Sequence, residues 1–367
     1  MKVLIICNSA SGLLDFRGLL IQDLIQRNHC VTAIIPKSDK VIERPAERQL
    51  KELPCPWLAV PMDRRSINPF NDVRLLFAYT KILRRETPDL VITYTIKPNI
   101  YGGLVCRWLH IPYAANITGL GTAFQKDGLL QWFVTKLYGA ALKKAKVVFF
   151  ENVENQQLFL ERRIISAKQS CLLHGAGVNL EHFCVQTYPT DSDTTRFLFM
   201  GRVMKEKGVD ELLTAMQRLI SDGISCSLDM LGGMEEDYSA QIQQFEKEGW
   251  LYYHGYQEDV RPFIARAHCF VLPSWHEGMA NTNLECAASG RPVITSNISG
   301  CKEAVIENIS GFLCEKQDAD SLYQAMKKFI RLPREQKEKM GMAGRKHMEQ
   351  VFDKHKVVEA TIAELMK

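Results

Sequence analysis

The chain has 367 residues, a length that predicts roughly two domains. Hydrophobic residues make up 46% and charged residues 24%, a balance that excludes disorder, collagen and coiled coil as the main architecture. The sequence contains no run of about 18 apolar residues that would indicate a membrane-spanning helix. The opening V-L-I-I-C is too short for the core of a signal peptide. The eleven cysteines form no C-x-x-C pair, which is typical of reduced thiols and predicts a cytoplasmic protein.

Net charge is +4 at pH 7, but the two halves differ. Residues 1–190 carry 24 Lys and Arg against 15 Asp and Glu, and the remainder carries 22 against 27. The basic half suits a phosphate-bearing acceptor or an anionic membrane surface, although chance variation explains it too. A nucleic-acid partner is disfavoured, because the basic residues are spread out and the net charge is small.

Short apolar runs alternate with amphipathic stretches from residue 2 onward, which predicts βαβ units and mostly parallel sheets. The predicted strands of the first half are Val3–Cys7, Cys30–Ile35, Trp57–Val60, Leu90–Tyr94, Tyr113–Ile117, Val147–Phe150 and Cys171–Leu173. The predicted helices between them are Phe16–Arg27, Asn71–Arg85, Ile100–Leu109, Leu129–Lys144 and Val153–Arg162.

The polar stretch Phe183–Thr195 has the composition of a linker, and a second βαβ series follows it. Its predicted strands are Phe197–Met200, Cys226–Leu231, Leu251–His254, Cys269–Leu272 and Pro292–Thr295. Its predicted helices are Val209–Ile220, Tyr238–Glu248, Asp259–Ala265, Asn283–Ala288 and Ala319–Leu332, with two more in the tail Pro333–Met366, broken near Asp353.

These patterns predict an α/β protein of two doubly wound, Rossmann-like domains that face a central cleft. We expect one domain over residues 1–185 and a second over 196–350. A terminal helix over 351–367 follows, for which packing back on the first domain is one arrangement. Ligands of such sheets bind at the carboxyl ends of the strands, so functional residues are expected in the loops that follow strands.

The stretch F-L-F-M-G-R-V-M-K-E-K-G contains the first candidate site. A predicted strand ends at Met200, and Gly201 lets the chain turn before a helix that starts near Gly208. Arg202 and Lys207 lie in the loop between them. Two cations beside a helix N-terminus suit a diphosphate, and a solvated basic loop is the alternative.

The stretch P-S-W-H-E-G-M-A-N-T-N-L-E contains the second candidate site. A helix begins near Asn281, so the amides of residues 279–282 are expected as free first-turn donors for phosphate oxygens. Glu285, in an apolar part of that helix, can accept hydrogen bonds from a ribose diol, and Glu277 can meet sugar hydroxyls. A capping residue plus a surface residue is the alternative. The donor-site residues predicted from this stretch are Glu277, Gly278, Met279, Ala280, Asn281, Thr282 and Glu285.

Loops after strands of the first half hold weaker candidates for an acceptor site. The loop N-S-A-S-G-L-L-D-F-R has one glycine where a dinucleotide fingerprint needs three, which disfavours NAD. Gly12 would allow close approach of the backbone to an acceptor, and Arg17 is either a contact to an acceptor phosphate or an exposed helix residue. The remaining candidates, expected to border the cleft, are Lys97, Asn99, Thr118 and Gly119.

The stretch Leu129–Lys146 is either a membrane-surface helix or a core helix with a basic end. The helical spacing of Leu130, Phe133, Leu137 and Ala141 favours the core helix.

With the G-R-x-x-x-x-K-G motif that begins at Gly201 and the E-x7-E motif at Glu277 and Glu285, the chain resembles glycosyltransferase family 4 along essentially its whole length. The resemblance implies a GT-B fold, retention of anomeric configuration, and no metal or cofactor beyond a nucleotide diphosphate sugar as substrate. It implies that Arg202 and Lys207 bind the donor diphosphate. It also implies that Glu285 binds the ribose and that Glu277 lies near the transferred sugar, the first domain being left for the acceptor.

Two shorter stretches, R-R-S-I-N-P-F (Arg64–Phe70) and K-P-N (Lys97–Asn99), are similar to bacterial family members that extend lipid-linked oligosaccharides, capsule or O-antigen. This similarity implies a UDP-sugar donor, an undecaprenyl-diphosphate-linked glycan acceptor and peripheral contact with the inner face of the cytoplasmic membrane. One departure is Thr118, which lies in a loop where many members have a histidine.

The residues predicted to act in catalysis are Arg202 and Lys207, which would stabilise the leaving diphosphate, and Glu277, which would hold the oxocarbenium-like sugar. Two other classes stay open. A GT-B sugar-nucleotide epimerase would convert its nucleotide sugar without an acceptor. A non-catalytic nucleotide-sugar or anionic-lipid binding protein would bind without turnover.

Overall fold

The computed structural model describes residues 1–37, 50, 53–62, 68–121, 124, 128–190 and 194–367. The stretch Arg64–Phe70 therefore lies outside the described residues except for its last three positions. The chain divides into two compact units, residues 1–176 with 355–367, and residues 177–354. The first unit ends earlier than the predicted residue 185 because Val178 pairs with Asp353 inside the second unit.

The first unit contains a seven-stranded parallel sheet with the order β3-β2-β1-β4-β5-β6-β7. The order reverses at β1 and β4, which makes it a doubly wound sheet. The central strands are buried along their whole length, as their continuous apolar sequence predicts. The strands are β1 Lys2–Ile6, β2 Cys30–Pro36, β3 Trp57–Val60, β4 Leu90–Tyr94, β5 Tyr113–Ile117, β6 Val147–Phe150 and β7 Ser170–Leu172.

Helices cover both faces of this sheet. Ser9 caps the first of them by accepting a hydrogen bond from the Gly12 amide, and Asn68 caps the second in the same way. The helices are α1 Ala10–Gln26, α2 Pro69–Glu86, α3 Gly103–Leu109, α4 Leu129–Leu142 and α5 Val153–Glu161, with a π-helical turn at Pro98–Gly102. Helix α1 packs on one face, whereas α2 to α5 pack on the other.

Helix α4 packs only partly as its apolar spacing predicts. Leu137 packs partly buried against the core and Ala141 is buried, as predicted, whereas Leu130 and Phe133 are exposed. The core-helix interpretation is therefore wrong for Leu130 and Phe133, because the side of α4 that faces the core is the one that carries Tyr138 and Leu142.

The second unit contains a six-stranded parallel sheet with the order β10-β9-β8-β11-β12-β13. The strands are β8 Thr195–Met200, β9 Cys226–Leu231, β10 Leu251–Gly255, β11 Cys269–Leu272, β12 Val293–Ser296 and β13 Gly311–Cys314. The helices are α6 Val209–Ser221, α7 Ser239–Lys247, α8 Arg261–Arg266, α9 Asn281–Ala288, α10 Ala319–Ile330 and α11 Arg334–His347.

The C-terminal helix, α12 Lys354–Met366, follows a π-helical turn at Met348–Phe352, which confirms the break predicted near Asp353. It leaves the second unit and packs with α1 on the first sheet, where Ile362 and Leu365 join the buried cluster. Each unit thus has its own sheet and its own core.

Candidate active site

The candidate site of the second unit is built from loops that follow β8, β11 and β12. Gly208 has φ +72°, and a Cβ there would come within 2.0 Å of the Pro273 carbonyl oxygen. Gly300 has φ +88°, and a Cβ there would come within 2.7 Å of the carbonyl oxygens of Glu277 and Gly278. Only glycine fits both positions, and these two close approaches join the three loops at the carboxyl edge of the sheet.

The loop after β8 positions the predicted cations. Gly201 donates its amide to the Leu231 carbonyl, and Lys207 closes a short helical turn that ends at Gly208, the residue before α6. Arg202 is exposed, and its side chain has no hydrogen bond or ion pair within the parts of the chain that are described. Its guanidinium is therefore available to an anion in solution.

Lys207 and Glu277 form an ion pair in which Nζ donates to Oε1. Ser274 Oγ donates to the same carboxylate oxygen at 2.8 Å. Both charged side chains are largely buried, at 17% and 13% exposure. Arg202 and Lys207 thus lie in the predicted loop, where the charge of Lys207 is compensated by Glu277 and Arg202 is exposed.

The residues beside Glu277 hold its loop in place. Trp275 donates its amide to the Glu206 carbonyl at 2.9 Å and its indole Nε1 to Glu211 Oε1 at 3.2 Å. Burial raises the pKa of Glu211, which lies in the first turn of α6. His276 Nε2 lies 3.6 Å from Glu206 Oε2. These contacts bind the loop after β11 to the loop after β8.

Helix α9 begins at Asn281, as predicted, and its preceding residue Ala280 provides no side-chain cap. The Ala280 amide donates to the Gly300 carbonyl at 2.7 Å, so the expectation that this donor is free is wrong. Within the described chain, the amides of Asn281 and Thr282 have no partner. These two donors, together with the positive end of the helix, can hold phosphate oxygens. Met279 is buried.

The side chains of Asn283 and Thr295 anchor α9 to the sheet. Asn283 Nδ2 donates to Thr295 Oγ1 at 3.0 Å, and this hydroxyl donates to the Leu272 carbonyl at 2.8 Å. Glu285 is half-buried on the same helix. Helix α9 is therefore fixed to β11 and β12, and it holds Glu285 eight positions after Glu277 with the spacing of the motif.

Sequence reasoning missed Ser274, Asn283 and Gly300. Ser274 lies inside the quoted P-S-W-H-E-G stretch, so its place before Glu277 was a usable signal. Gly300 lies in the loop after β12, at the sheet edge where ligands bind. No sequence signal indicates a role for Asn283, because its partner Thr295 lies on a different element, β12.

Two predicted acceptor residues are buried in the first unit. Arg17 donates to Glu151 Oε1 at 2.6 Å, and its guanidinium lies 4.6 Å from the Tyr94 ring centre. Asn99 accepts from Thr93 and donates its amide to the Asn116 carbonyl, both at 2.7 Å. Both expectations of exposed side chains are wrong.

The other predicted acceptor residues lie at or near the carboxyl edge of the first sheet. Lys97 follows β4 and its Nζ donates to Asp72 Oδ1 at 2.9 Å. Thr118 and Gly119 follow β5 and are half-buried. Gly12 lies in the first turn of α1, where its amide is already bonded to Ser9 Oγ at 3.1 Å.

In the described part of the chain, no three His, Cys, Asp or Glu residues are grouped to hold a metal ion. No helix among the same residues is long and apolar enough to cross a bilayer.

Two family models match the chain, one over each sheet. The model for glycosyl transferases group 1 matches residues 185–347, and the model for glycosyl transferase 4-like proteins matches residues 2–152. Together the two matches cover strands β1 to β6 of the first unit and the whole sheet and candidate site of the second unit.

Curated relatives match over most of the chain. One is the N,N'-diacetylbacillosaminyl-diphospho-undecaprenol alpha-1,3-N-acetylgalactosaminyltransferase of Campylobacter jejuni, 25% identical over 88% of this chain and 87% of that protein. Another is the UDP-Gal:alpha-D-GlcNAc-diphosphoundecaprenol alpha-1,3-galactosyltransferase of Escherichia coli, 27% identical over 73% of each chain.

Among solved structures, HepE of Anabaena in complex with UDP and glucose aligns with a TM-score of 0.80. The alignment covers 100% of this chain and 99% of HepE at 16% identity, so it concerns the fold. The two parallel-sheet units are those of the GT-B fold, which confirms the predicted fold class. The chain therefore belongs to the group 1 and family 4-like glycosyl transferases and is a glycosyltransferase of GT-B fold.

Proposed function

We propose that this glycosyltransferase is a retaining, metal-independent hexosyltransferase. Its donor would be a UDP-hexose or UDP-N-acetylhexosamine, and its acceptor a sugar hydroxyl of an undecaprenyl-diphosphate-linked glycan in cell-surface polysaccharide synthesis. Such an acceptor would place the enzyme in the cytoplasm, in contact with the inner face of the membrane. The names of the two relatives support the acceptor class, and the complex of HepE supports UDP.

The observation that carries the proposal is the group formed by Arg202, the Lys207–Glu277 pair and the two amides at the start of α9. Negative charge develops on the leaving diphosphate as its bond to the sugar breaks. Arg202 and the amides would stabilise this charge without a divalent ion. Glu285 would accept hydrogen bonds from the ribose.

Lys207 has a double role in the proposed mechanism. In the structure its ammonium is bonded to Glu277. Once a diphosphate is bound, the ammonium lies between two anions and can share its three protons between them. Glu277 would then meet the sugar while staying paired, which keeps a carboxylate beside an oxocarbenium-like centre.

Retention is proposed to follow a front-face route. The bond between the anomeric carbon and the phosphate oxygen breaks, the acceptor oxygen bonds to the same face, and its proton passes to the leaving phosphate. Glu277 acts by electrostatics in this route and forms no covalent bond. Trapping a glycosyl group on any side chain would contradict it.

The decisive experiment incubates the protein with UDP-hexoses, UDP-N-acetylhexosamines and GDP-mannose, each with and without an undecaprenyl-diphosphate sugar. We expect UDP release and a product whose anomeric configuration matches the donor, unchanged by EDTA. Conversion of the donor without an acceptor would identify an epimerase. Binding without turnover of any pair would identify a binding protein.

A further inference from the structure

An apolar face lies on the outer surfaces of α2 and α4 in the first unit. We define it as Phe70, Val73 and Phe77 on α2 with Leu129, Leu130, Trp132 and Phe133 on α4. These side chains are between 48% and 88% exposed. Single exposed apolar residues are ordinary on protein surfaces, but seven on two helices of one layer are not.

The packing of the two helices explains why these side chains point outward. Helix α2 turns Leu75, Tyr79 and Leu83 toward the sheet, and α4 turns Tyr138 and Leu142 toward the same side. The two helices therefore belong to one layer, and the residues of the apolar face lie on its outer surface. Within the described residues, no other element packs on them.

The apolar face lies toward the carboxyl edge of the first sheet. Helix α2 follows β3 and α4 follows β5, so in this parallel sheet each helix starts from the carboxyl side of the strand before it. All seven residues lie in the first half of their helix. This is the edge at which doubly wound sheets bind their ligands.

Cations follow the apolar residues along both helices. They are exposed, and they are Arg74, Lys81, Arg84 and Arg85 on α2 with Lys136 on α4 and Lys143 and Lys144 just beyond it. Lys136 Nζ lies 5.8 Å from the Trp132 ring centre. Helix α4 contains no acidic residue, and both acidic residues of α2, Asp72 and Glu86, are already paired with lysine.

We propose that the apolar face and these cations form the docking surface for an anionic lipid bilayer. Tryptophan, phenylalanine and leucine side chains enter the boundary between headgroups and acyl chains, while lysine and arginine reach the headgroup phosphates. A second copy of the chain is disfavoured as the occupant. A two-fold contact between two such faces would bring like charges together.

The docked arrangement has a consequence for the acceptor. Asp72 lies between Phe70 and Val73 in the first turn of α2, and it holds Lys97 at the end of β4. The bilayer would therefore meet the protein beside the predicted acceptor loops. This consequence rests on the proposed function, whereas docking itself does not.

The test measures co-sedimentation of the full chain with vesicles of phosphatidylethanolamine and phosphatidylglycerol. We expect the wild type to bind and the double variant Phe77→Ser, Trp132→Ser to bind about tenfold more weakly or worse, because two apolar anchors are lost. The matched control is Phe16→Ser on α1, an exposed phenylalanine on the opposite face of the sheet, which should bind as the wild type.

Charge is tested separately. Lys81→Ala with Lys136→Ala should weaken binding to these vesicles and leave binding to phosphatidylcholine vesicles unchanged. Quenching of tryptophan emission by brominated lipid should occur in the wild type and fall in Trp132→Ser.

The docking surface would be overturned if the Phe77→Ser, Trp132→Ser variant bound vesicles as strongly as the wild type, or if the wild type bound no vesicles. So would a wild-type dimer that the same variant dissociates, since the face would then belong to a second copy. Activity on a short-chain, water-soluble diphospho-sugar separates the two proposals. The variant should keep this activity. If the wild type itself lacks the activity, the result counts against the proposed function alone.

Discussion

At the scale of single residues, the exposed Arg202 and the paired Lys207 would make different contributions to the proposed diphosphate site. Arg202 would need no change of partner to meet an anion, whereas Lys207 would have to divide its protons between Glu277 and the ligand. A lysine already bonded to a carboxylate adds less attraction for a diphosphate than a free one, but it also positions that carboxylate.

We expect Arg202→Ala and Lys207→Ala each to lower kcat/KM by on the order of 100-fold, since each removes a charge-assisted contact to a developing anion. Steady-state kinetics with the donor that the screen identifies would measure these losses. Lys205→Ala is the matched control, because Lys205 lies in the same turn, is exposed and pairs weakly with Asp210 at 4.0 Å. If Lys205→Ala lowered kcat/KM as much as Lys207→Ala, the diphosphate assignment would be wrong.

Ser274→Ala should lower kcat/KM by about threefold to tenfold, the worth of one hydrogen bond to a carboxylate that keeps its lysine. The reason is that Glu277 Oε1 retains the Lys207 bond but loses one of its two donors. Ser274→Thr keeps the hydroxyl and serves as the comparison. A full-rate Ser274→Ala enzyme would mean that the Ser274 bond does not position Glu277.

At the scale of elements, the start of α9 depends on the close approach of Gly300. Gly300→Ala should lower kcat/KM on the order of 100-fold, because the loop that presents Glu277 must move away from the new Cβ. Gly249→Ala is matched in φ, at +83°, yet its Cβ would meet no atom within 4 Å. That control should cost only about 1 kcal/mol of stability, measured by denaturant unfolding, and leave kinetics unchanged.

Strand β8 provides a pH-dependent contact. Burial lowers the pKa of His268 from 6.5 to about 4, and its Nδ1 accepts the Arg196 amide at 3.0 Å. The folded state therefore takes up fewer protons than the unfolded state between these values, so stability falls as pH drops from 6.5 toward 4. The loss should reach about 3 kcal/mol.

His268→Asn keeps an acceptor near the Nδ1 position and should flatten that part of the stability profile, followed by urea unfolding at a series of pH values. His110→Asn, at an exposed histidine with φ +57°, should leave the profile unchanged. A profile for His268→Asn that is as steep as the wild type would assign the acid sensitivity to other groups.

The sequence predicts elements better than it predicts partners. Among the described residues, each of β1 to β12 overlaps a predicted strand, because nearly continuous apolar runs between helices leave few alternatives. Strand β13 was not predicted because it opens with Gly311, a residue that the strand pattern does not favour; a Cβ at this position would meet the Val293 carbonyl oxygen at 1.9 Å. Arg17 and Asn99 were misjudged because Glu151 and Asn116, which bury them, are distant in sequence.

At the scale of the whole molecule, α12 completes the first core. Leu365 is fully buried there, whereas its neighbour Met366 is exposed. Leu365→Ala should therefore lower the free energy of unfolding by about 2 to 5 kcal/mol, the range for a large-to-small change in a core. Met366→Ala should change it by less than about 0.5 kcal/mol in the same thermal or denaturant titration. Equal effects would show that α12 is not part of that core.

The return of α12 to the first sheet also bears on synthesis at the ribosome. Domains generally fold in the order in which they emerge, but α12 belongs to the first unit and follows the whole second unit in the sequence. Residues 177–354 form a continuous segment and can fold as they appear. The apolar surface that α1 shares with Ile362 and Leu365 stays uncovered throughout that time. A translational pause before α12 emerges should therefore leave the first unit prone to aggregation and dependent on chaperones, while the second unit is already folded.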